Sequence, residues 1–277
     1  MNVRVNGVTY HVKVKGEGKP VVLLHGFTGD ITSWEDVLPY FPSRYQWILI
    51  DILGHGKSDH PEDPARYDIV KVAIDIRDLL EKLAYEKVHM IGYSMGGRLA
   101  LTFAVLFPNW VETLILESAS PGLEFPEERK ERQLADARLA DMILHKGIEF
   151  FIDYWERIPL FATQSQLPED VKEKKRAQRM KNHPVGLANS LLGMGTGSQP
   201  SWWDKLTNLH FPVLLLTGKM DMKFCRIAER MVQRLPMAQH EVIEGVGHTI
   251  HMEHPEKFGT IVDRFLTIHK GGSRHGH

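Results

Sequence analysis

Short apolar runs alternate along the chain with longer segments whose apolar residues recur at helical spacing. The runs at 21–25, 47–51, 88–92, 113–116, 213–217 and 240–243 are mostly continuous in apolar character. Such runs are expected of parallel strands covered on both faces. Between them, 68–83, 95–107, 224–235 and 255–268 read as helices. This rhythm predicts an α/β fold with a mainly parallel sheet and right-handed crossovers. The N-terminus alternates instead: Val3, Val5, then Asn6-Gly7, then Val8, Tyr10, Val12 and Val14. Asn-Gly between alternating runs signals a hairpin, so two antiparallel strands precede the parallel sheet.

The rhythm breaks over 121–200, which is rich in Glu, Lys, Arg, Leu and Met and contains no strand-like run. One long helix opens near Glu127 and another near Leu167, and the glycine-rich stretch 193–200 reads as a mobile return loop. The division that follows is a core of 1–120 and 201–270, an inserted helical cap of 121–200, and a flexible tail at 271–277. A cap placed there lies over the C-terminal ends of the strands, where open α/β sheets bind ligands.

Composition narrows the partners. The formal net charge of −1 provides no field to attract nucleic acid or hold an anionic membrane, so an anionic ligand must be caught by a few localised cations. The single cysteine, Cys225, excludes an internal disulfide and fits a reducing, cytoplasmic setting. No apolar run reaches the roughly 18 residues of a spanning helix, and no signal-peptide pattern opens the chain. Nothing in the composition fixes an oligomeric state.

The chemistry concentrates in Gly92-Tyr93-Ser94-Met95-Gly96. A buried strand precedes this segment and a helix follows it, so Ser94 falls on a sharp strand-to-helix turn, the Gly-x-Ser-x-Gly nucleophile elbow. Ser94 as a plain helix cap is the alternative. A nucleophile needs a base and a residue to orient it. His248, in Gly245-Val246-Gly247-His248 after the last strand, supplies the base, and Asp221, at the end of the strand before it, orients the imidazole. Asp221 also suits a helix N-cap. His25 and His55 belong to strand-end turns, His251 and His254 to the surface or wall of the His248 loop, and Asp51 to a loop preceding the nucleophile. The oxyanion donors expected are the backbone N–H groups of Phe27, in His25-Gly26-Phe27-Thr28-Gly29, and of Met95.

Together with Asp51-Ile52-Leu53-Gly54-His55-Gly56, these motifs resemble the α/β-hydrolase superfamily from about residue 2 to 269. The order Ser94, Asp221, His248 is the one that superfamily uses. Further residues resemble one of its families, the 2-succinyl-6-hydroxy-2,4-cyclohexadiene-1-carboxylate (SHCHC) synthases of menaquinone biosynthesis. The resemblance implies substrate contacts from Tyr93 before the nucleophile, Arg98 four residues after it, and Arg132, Trp155 and Arg179 in the cap. It implies a small polycarboxylate substrate and an elimination of pyruvate that calls for no metal and no cofactor. Bidentate carboxylate binding suits arginine. The blander expectations are a solvated face for Arg132, paired with Glu128, and a structural pair of Arg98 with Glu117. A serine hydrolase of small esters, thioesters or C–C bonds is the alternative enzyme, and a ligand receptor the non-enzymatic one.

Overall fold

A computed structural model of the chain describes residues 1–269. The tail expected at 271–277 lies outside the described residues. In chain order the elements are β1 (Asn2–Val5), β2 (Val8–Lys15), β3 (Lys19–Leu24), β4 (Tyr45–Ile50), α1 (Ile69–Lys82), β5 (Val88–Tyr93), α2 (Met95–Leu106) and β6 (Val111–Glu117). After them come α3 (Pro126–Trp155), α4 (Glu169–Arg179), α5 (Pro184–Met194), β7 (Val213–Gly218), α6 (Met222–Val232), β8 (Ala238–Ile243), α7 (Ile250–Glu253) and α8 (Pro255–Ile268). The eight strands form one sheet in the order β1-β2-β4-β3-β5-β6-β7-β8. β1 and β2 pair antiparallel, as do β2 and β4, and the remaining pairs are parallel. The hairpin turn has positive φ at both Asn6 (46°) and Gly7 (84°), the twist that joins antiparallel strands tightly.

Because successive strand residues point to opposite faces, each apolar run feeds two cores. Val22, Leu24, Ile48, Ile50, Met90, Leu114 and Leu215 pack beneath α1 and α2. Val21, Leu23, Leu49, Ile91, Ile115 and Leu214 pack against α8 on the other face. This two-sided burial is why the parallel strands read as continuous rather than alternating.

The insertion leaves the sheet after β6 and returns before β7. α3 starts with Pro126 at its first position and Glu127 and Glu128 in its first turn, a favourable arrangement for the positive end of a helix. Gly147, at φ 84° and ψ 166°, breaks the helix into two limbs. The limbs and α5 bury Ala140, Ile143, Phe151, Ile152, Leu187 and Leu191 in a small core of their own. The segment 193–200, expected as a mobile loop, is tied down. α5 runs into it as far as Met194, the N–H groups of Ser198 and Gln199 donate to Gly195 O, Gln133 donates to Gly197 O, and Gln199 is fully buried. Glycine composition alone suggests freedom; the buried amide of Gln199 removes it. No described helix is long and apolar enough to cross a membrane.

Three buried histidines set an acid limit. Burial lowers His25, pushes His55 down to about 3, and pushes His89 down to about 4. Each stays neutral in the fold below pH 6.5 while the unfolded chain takes up a proton, so its contribution is present above that pH and lost as the pH falls. Unfolding free energy in denaturant titrations is expected to drop between pH 6.5 and 4 by about 1.4 kcal/mol per pH unit for each of His55 and His89, and His25 adds to the fall in the same direction. His89→Gln, which can keep the bond to Thr113, flattens that slope. An unchanged slope in the variant means the fold accommodates the protonated ring.

Candidate active site

The nucleophile elbow depends on close backbone approach. Ser94 sits at φ 51°, ψ −109°, a left-handed conformation costly for a side chain. A Cβ at Gly92 would strike the carbonyl of Gly96, and one at Gly96 would strike the carbonyls of Leu24 and His25. Ser94 N–H donates to Glu117 O at 2.9 Å, and its own carbonyl accepts from Arg98 N–H at 3.0 Å. The hydroxyl is thereby lifted off the end of β5.

His248 Nε2 lies 3.0 Å from Ser94 Oγ, and Nδ1 lies 2.6 Å from Asp221 Oδ2. An ionised Asp221 accepts from Nδ1–H, which leaves Nε2 to accept the serine proton. Asp221 also caps α6 by accepting from Phe224 N–H, so its two expected roles coincide. Phe224 and Phe161 flank the imidazole at 4.7 and 6.0 Å between ring centres. Among the described residues the backbone N–H groups of Phe27 and Met95 find no protein acceptor, and both residues line the cavity above Ser94.

The competing residues have other partners. His25 donates from Nδ1 to Gly26 O and accepts Ile52 N–H, while Asp51 accepts from Ile31 N–H, Lys57 N–H and His11. His251 is not a surface residue and does not line the cavity above Ser94. It is 2% exposed, and Glu117 accepts from both its Nδ1 (2.7 Å) and its backbone N–H (3.0 Å). Glu117 therefore fixes the nucleophile through its carbonyl and the His248 loop through its carboxylate. Glu253 brackets the base itself by accepting from Gly247 N–H at 2.9 Å and Thr249 N–H at 3.3 Å. Sequence reasoning considered Glu117 only as a partner for Arg98 and passed over Glu253, because burial and long-range pairing leave no local motif.

A cavity of about 340 Å³ lies between the elbow and the cap, lined by Tyr93, Arg98, Arg132 and Trp155 among others. Arg98 does not pair with Glu117, whose carboxylate belongs to His251. It donates to Met194 O at 2.6 Å and Gln199 Oε1 at 2.9 Å. Burial and the nearby Arg132 guanidinium push Arg98 down to about 10, leaving it charged at neutral pH. Arg132 pairs with Asp136 at 2.8 Å rather than with Glu128. Arg132 is thus paired with a carboxylate, whereas Arg98 has none within ion-pair distance among the described residues; Glu124 and Glu128 also line the cavity. Tyr93 turns its hydroxyl to Thr249 Oγ1 at 2.7 Å, and burial raises its pKa well above the usual phenol range. Trp155 lies edge-on to Phe27, and its buried Nε1–H has no partner. Arg179 is not brought to this cavity. Its guanidinium donates to Glu156 and Gln164 behind the His248 loop. On the cavity rim, Lys223 and Arg230 are cations that sequence reasoning passed over, and Arg230 pairs with Glu124. Among the described residues no group of three or more His, Cys, Asp or Glu is arranged to hold a metal ion.

A serine hydrogen-bonded to a His–Asp pair at strand ends beneath a helical insertion is the arrangement of an α/β-hydrolase-type enzyme. The family profile described as alpha/beta hydrolase fold matches residues 19–255, and the chain belongs to that family. Within it, the chain is 46% identical over 270 residues to a Bacillus subtilis (strain 168) protein provisionally named SHCHC synthase, covering 96% of this chain and 98% of the relative. It is 31% identical over 255 residues to the Enterobacter sp. (strain 638) protein of that name, covering 91% and 94%. Among solved structures, MenH from S. aureus superposes with a TM-score of 0.90 at 34% identity, over 94% of this chain and 99% of that one. A thermophilic esterase from Thermogutta terrifontis superposes with a TM-score of 0.84 at 28% identity, over 97% of each chain.

A fluorophosphonate probe is expected to label the wild type and not Ser94→Ala. Glu253→Gln leaves one backbone N–H beside His248 without its acceptor. Its labelling is expected to slow by about tenfold with the melting temperature nearly unchanged. Labelling at the wild-type rate would show that the base is held without Glu253.

Proposed function

We propose that the chain is a lyase of menaquinone biosynthesis that eliminates pyruvate from the enolpyruvyl cyclohexene carboxylate SEPHCHC to give SHCHC. The observation that carries the reading is the pair Arg98 and Arg132, which line the same cavity as Ser94: Arg132 is paired with Asp136, and the buried Arg98 has only amide oxygens as hydrogen-bond acceptors among the described residues. Burial raises the Asp136 pKa from its ordinary value, against the pull of Arg132. A polyanionic ligand supplies the missing negative charge, and a neutral ester does not. The names of the relatives support the same class of substrate.

In this mechanism Asp221 holds His248 in the tautomer whose Nε2 accepts the Ser94 proton. Ser94 Oγ then removes a proton from a ring carbon. The C–H electrons form the new ring double bond, and the C–O bond to the enolpyruvyl group breaks. The departing enolate collects the proton held on His248 and leaves as pyruvate, so protons and electrons balance with no acyl-enzyme. The Phe27 and Met95 N–H groups face the negative charge that develops on a substrate carbonyl or carboxylate. Arg98 and Arg132 hold carboxylates, and Trp155 forms an apolar wall with a free N–H.

A serine esterase is the second reading, favoured by the likeness to the Thermogutta esterase. Pyruvate release from SEPHCHC, followed by coupling to lactate dehydrogenase, separates the two. The lyase reading expects rapid pyruvate formation and slow turnover of p-nitrophenyl acetate. Efficient ester hydrolysis without pyruvate would end it. Arg98→Met and Arg132→Met are each expected to lower kcat/KM on the order of 100-fold, through both KM and kcat, because a desolvated charge loses its partner. Unchanged kinetics in both variants would remove the arginines from substrate binding.

A further inference from the structure

Lys175 is 7% exposed and makes no hydrogen bond or ion pair with any described residue. The other cations of α4 have partners. Lys172 pairs with Glu169, Lys174 with Asp36, Arg176 with Asp153 and Glu156, and Arg179 with Glu156. So largely buried a lysine side chain with no counter-charge within pairing distance is unusual, since the burial of a charged group is normally offset by pairing. The surrounding groups do not supply a contact. Asp36 and Asp30 attract from beyond pairing distance, Arg179 and Lys174 repel, and burial pushes Lys175 down to about 8.

Lys175 borders two hollows. The narrower, about 30 Å³, is bounded on the core side by the loop from Gly26 to Gly29, by Tyr93 and by His251, and no carboxylate lines it. The wider, about 510 Å³, lies between α4 and the segment 156–167. Its carboxylates are Glu156, held by Arg176 and Arg179, Glu169, held by Lys172, and Glu173, and its cations Arg157, Lys172, Lys175, Arg176 and Arg179 outnumber them. Phe161, Lys175, Arg179 and Met252 are common to both hollows, and Phe161 also lines the catalytic cavity. Gln178 and Asn182 fasten the end of α4 to Thr28 O, so Lys175 lines the narrower hollow together with the loop that carries Phe27.

We propose that the junction of these hollows is a second binding site, for a small monocarboxylate anion. The Lys175 ammonium is its counter-charge, and Phe161 and Met252 are apolar walls for a short alkyl group. The site stands behind the oxyanion loop, one side chain away from the catalytic cavity. Under the reaction given above, the released 2-oxo acid is a ligand of this class and a natural occupant on its way out. That role rests on the proposed reaction, whereas the binding does not.

The test is titration of the whole chain with acetate, pyruvate and neutral acetamide, read by calorimetry and by the ε-carbon NMR signal of Lys175 in lysine-labelled protein. The signal that disappears in Lys175→Met identifies the residue. Acetate and pyruvate are expected to bind and to move the Lys175 titration to higher pH, since an adjacent anion favours the charged amine. Acetamide should do neither. Lys175→Met should weaken acetate by at least about tenfold while fluorophosphonate labelling of Ser94 continues, and Arg132→Met should retain acetate at the Lys175 site. The proposal is overturned if acetate leaves the Lys175 signal unmoved, if Lys175→Met binds as the wild type does, or if binding is lost only in Arg132→Met. Intact acetate binding in a chain that forms no pyruvate from SEPHCHC would count against the reaction alone.

Discussion

The site depends on holding Ser94 in a backbone conformation that its own side chain disfavours. A left-handed residue of this kind costs on the order of 1–3 kcal/mol, and it persists only where the surroundings over-determine it. Here β5 and β6 fix one side through the bond from Ser94 N–H to Glu117 O, and α2 fixes the other through the bond from Arg98 N–H. Gly92 and Gly96 allow the two elements to approach more closely than any Cβ permits. With the hydroxyl so placed, a loop from β8 need only bring His248 to one fixed point. Glu253 and the His251–Glu117 pair do that.

Glu117 joins the two halves of this arrangement. Its carbonyl is part of the elbow and its carboxylate part of the His-loop anchor, so displacement of β6 disturbs nucleophile and base together. The cap adds charge rather than catalytic groups. Arg132 of α3, paired with Asp136, lines the same cavity as Arg98 of α2, while the carbonyl of Met194 at the end of α5 orients Arg98. A chain with a net charge of −1 thereby builds a cationic wall at one point of its surface.

The fold was legible because its signals are local. Continuous apolar runs mark strands buried on both faces, and Asn6-Gly7 marks the hairpin through its two positive φ angles. The hydrogen-bonded row of Ser94, His248 and Asp221 was legible because chain order and strand ends restrict where the three residues can lie. The rest of the site was not, because side-chain pairing across the fold has no sequence period. Glu128, Glu117 and Asp136 were equally available in type to the two arginines, and only packing selects Asp136 for Arg132 and two amide oxygens for Arg98. Arg179 matches a family position in sequence, yet Glu156 and Gln164 draw it behind the His248 loop. His251 reads as a loop histidine until Glu117, 134 residues away, is seen beside it.

The central claim is that Ser94 works as a proton acceptor rather than as a carbon nucleophile. Intact-protein mass spectrometry during the first turnovers with SEPHCHC tests it directly. The account predicts an unmodified chain mass while pyruvate accumulates. A transient mass increase that maps to the peptide carrying Ser94, formed and lost at the rate of turnover, would contradict it.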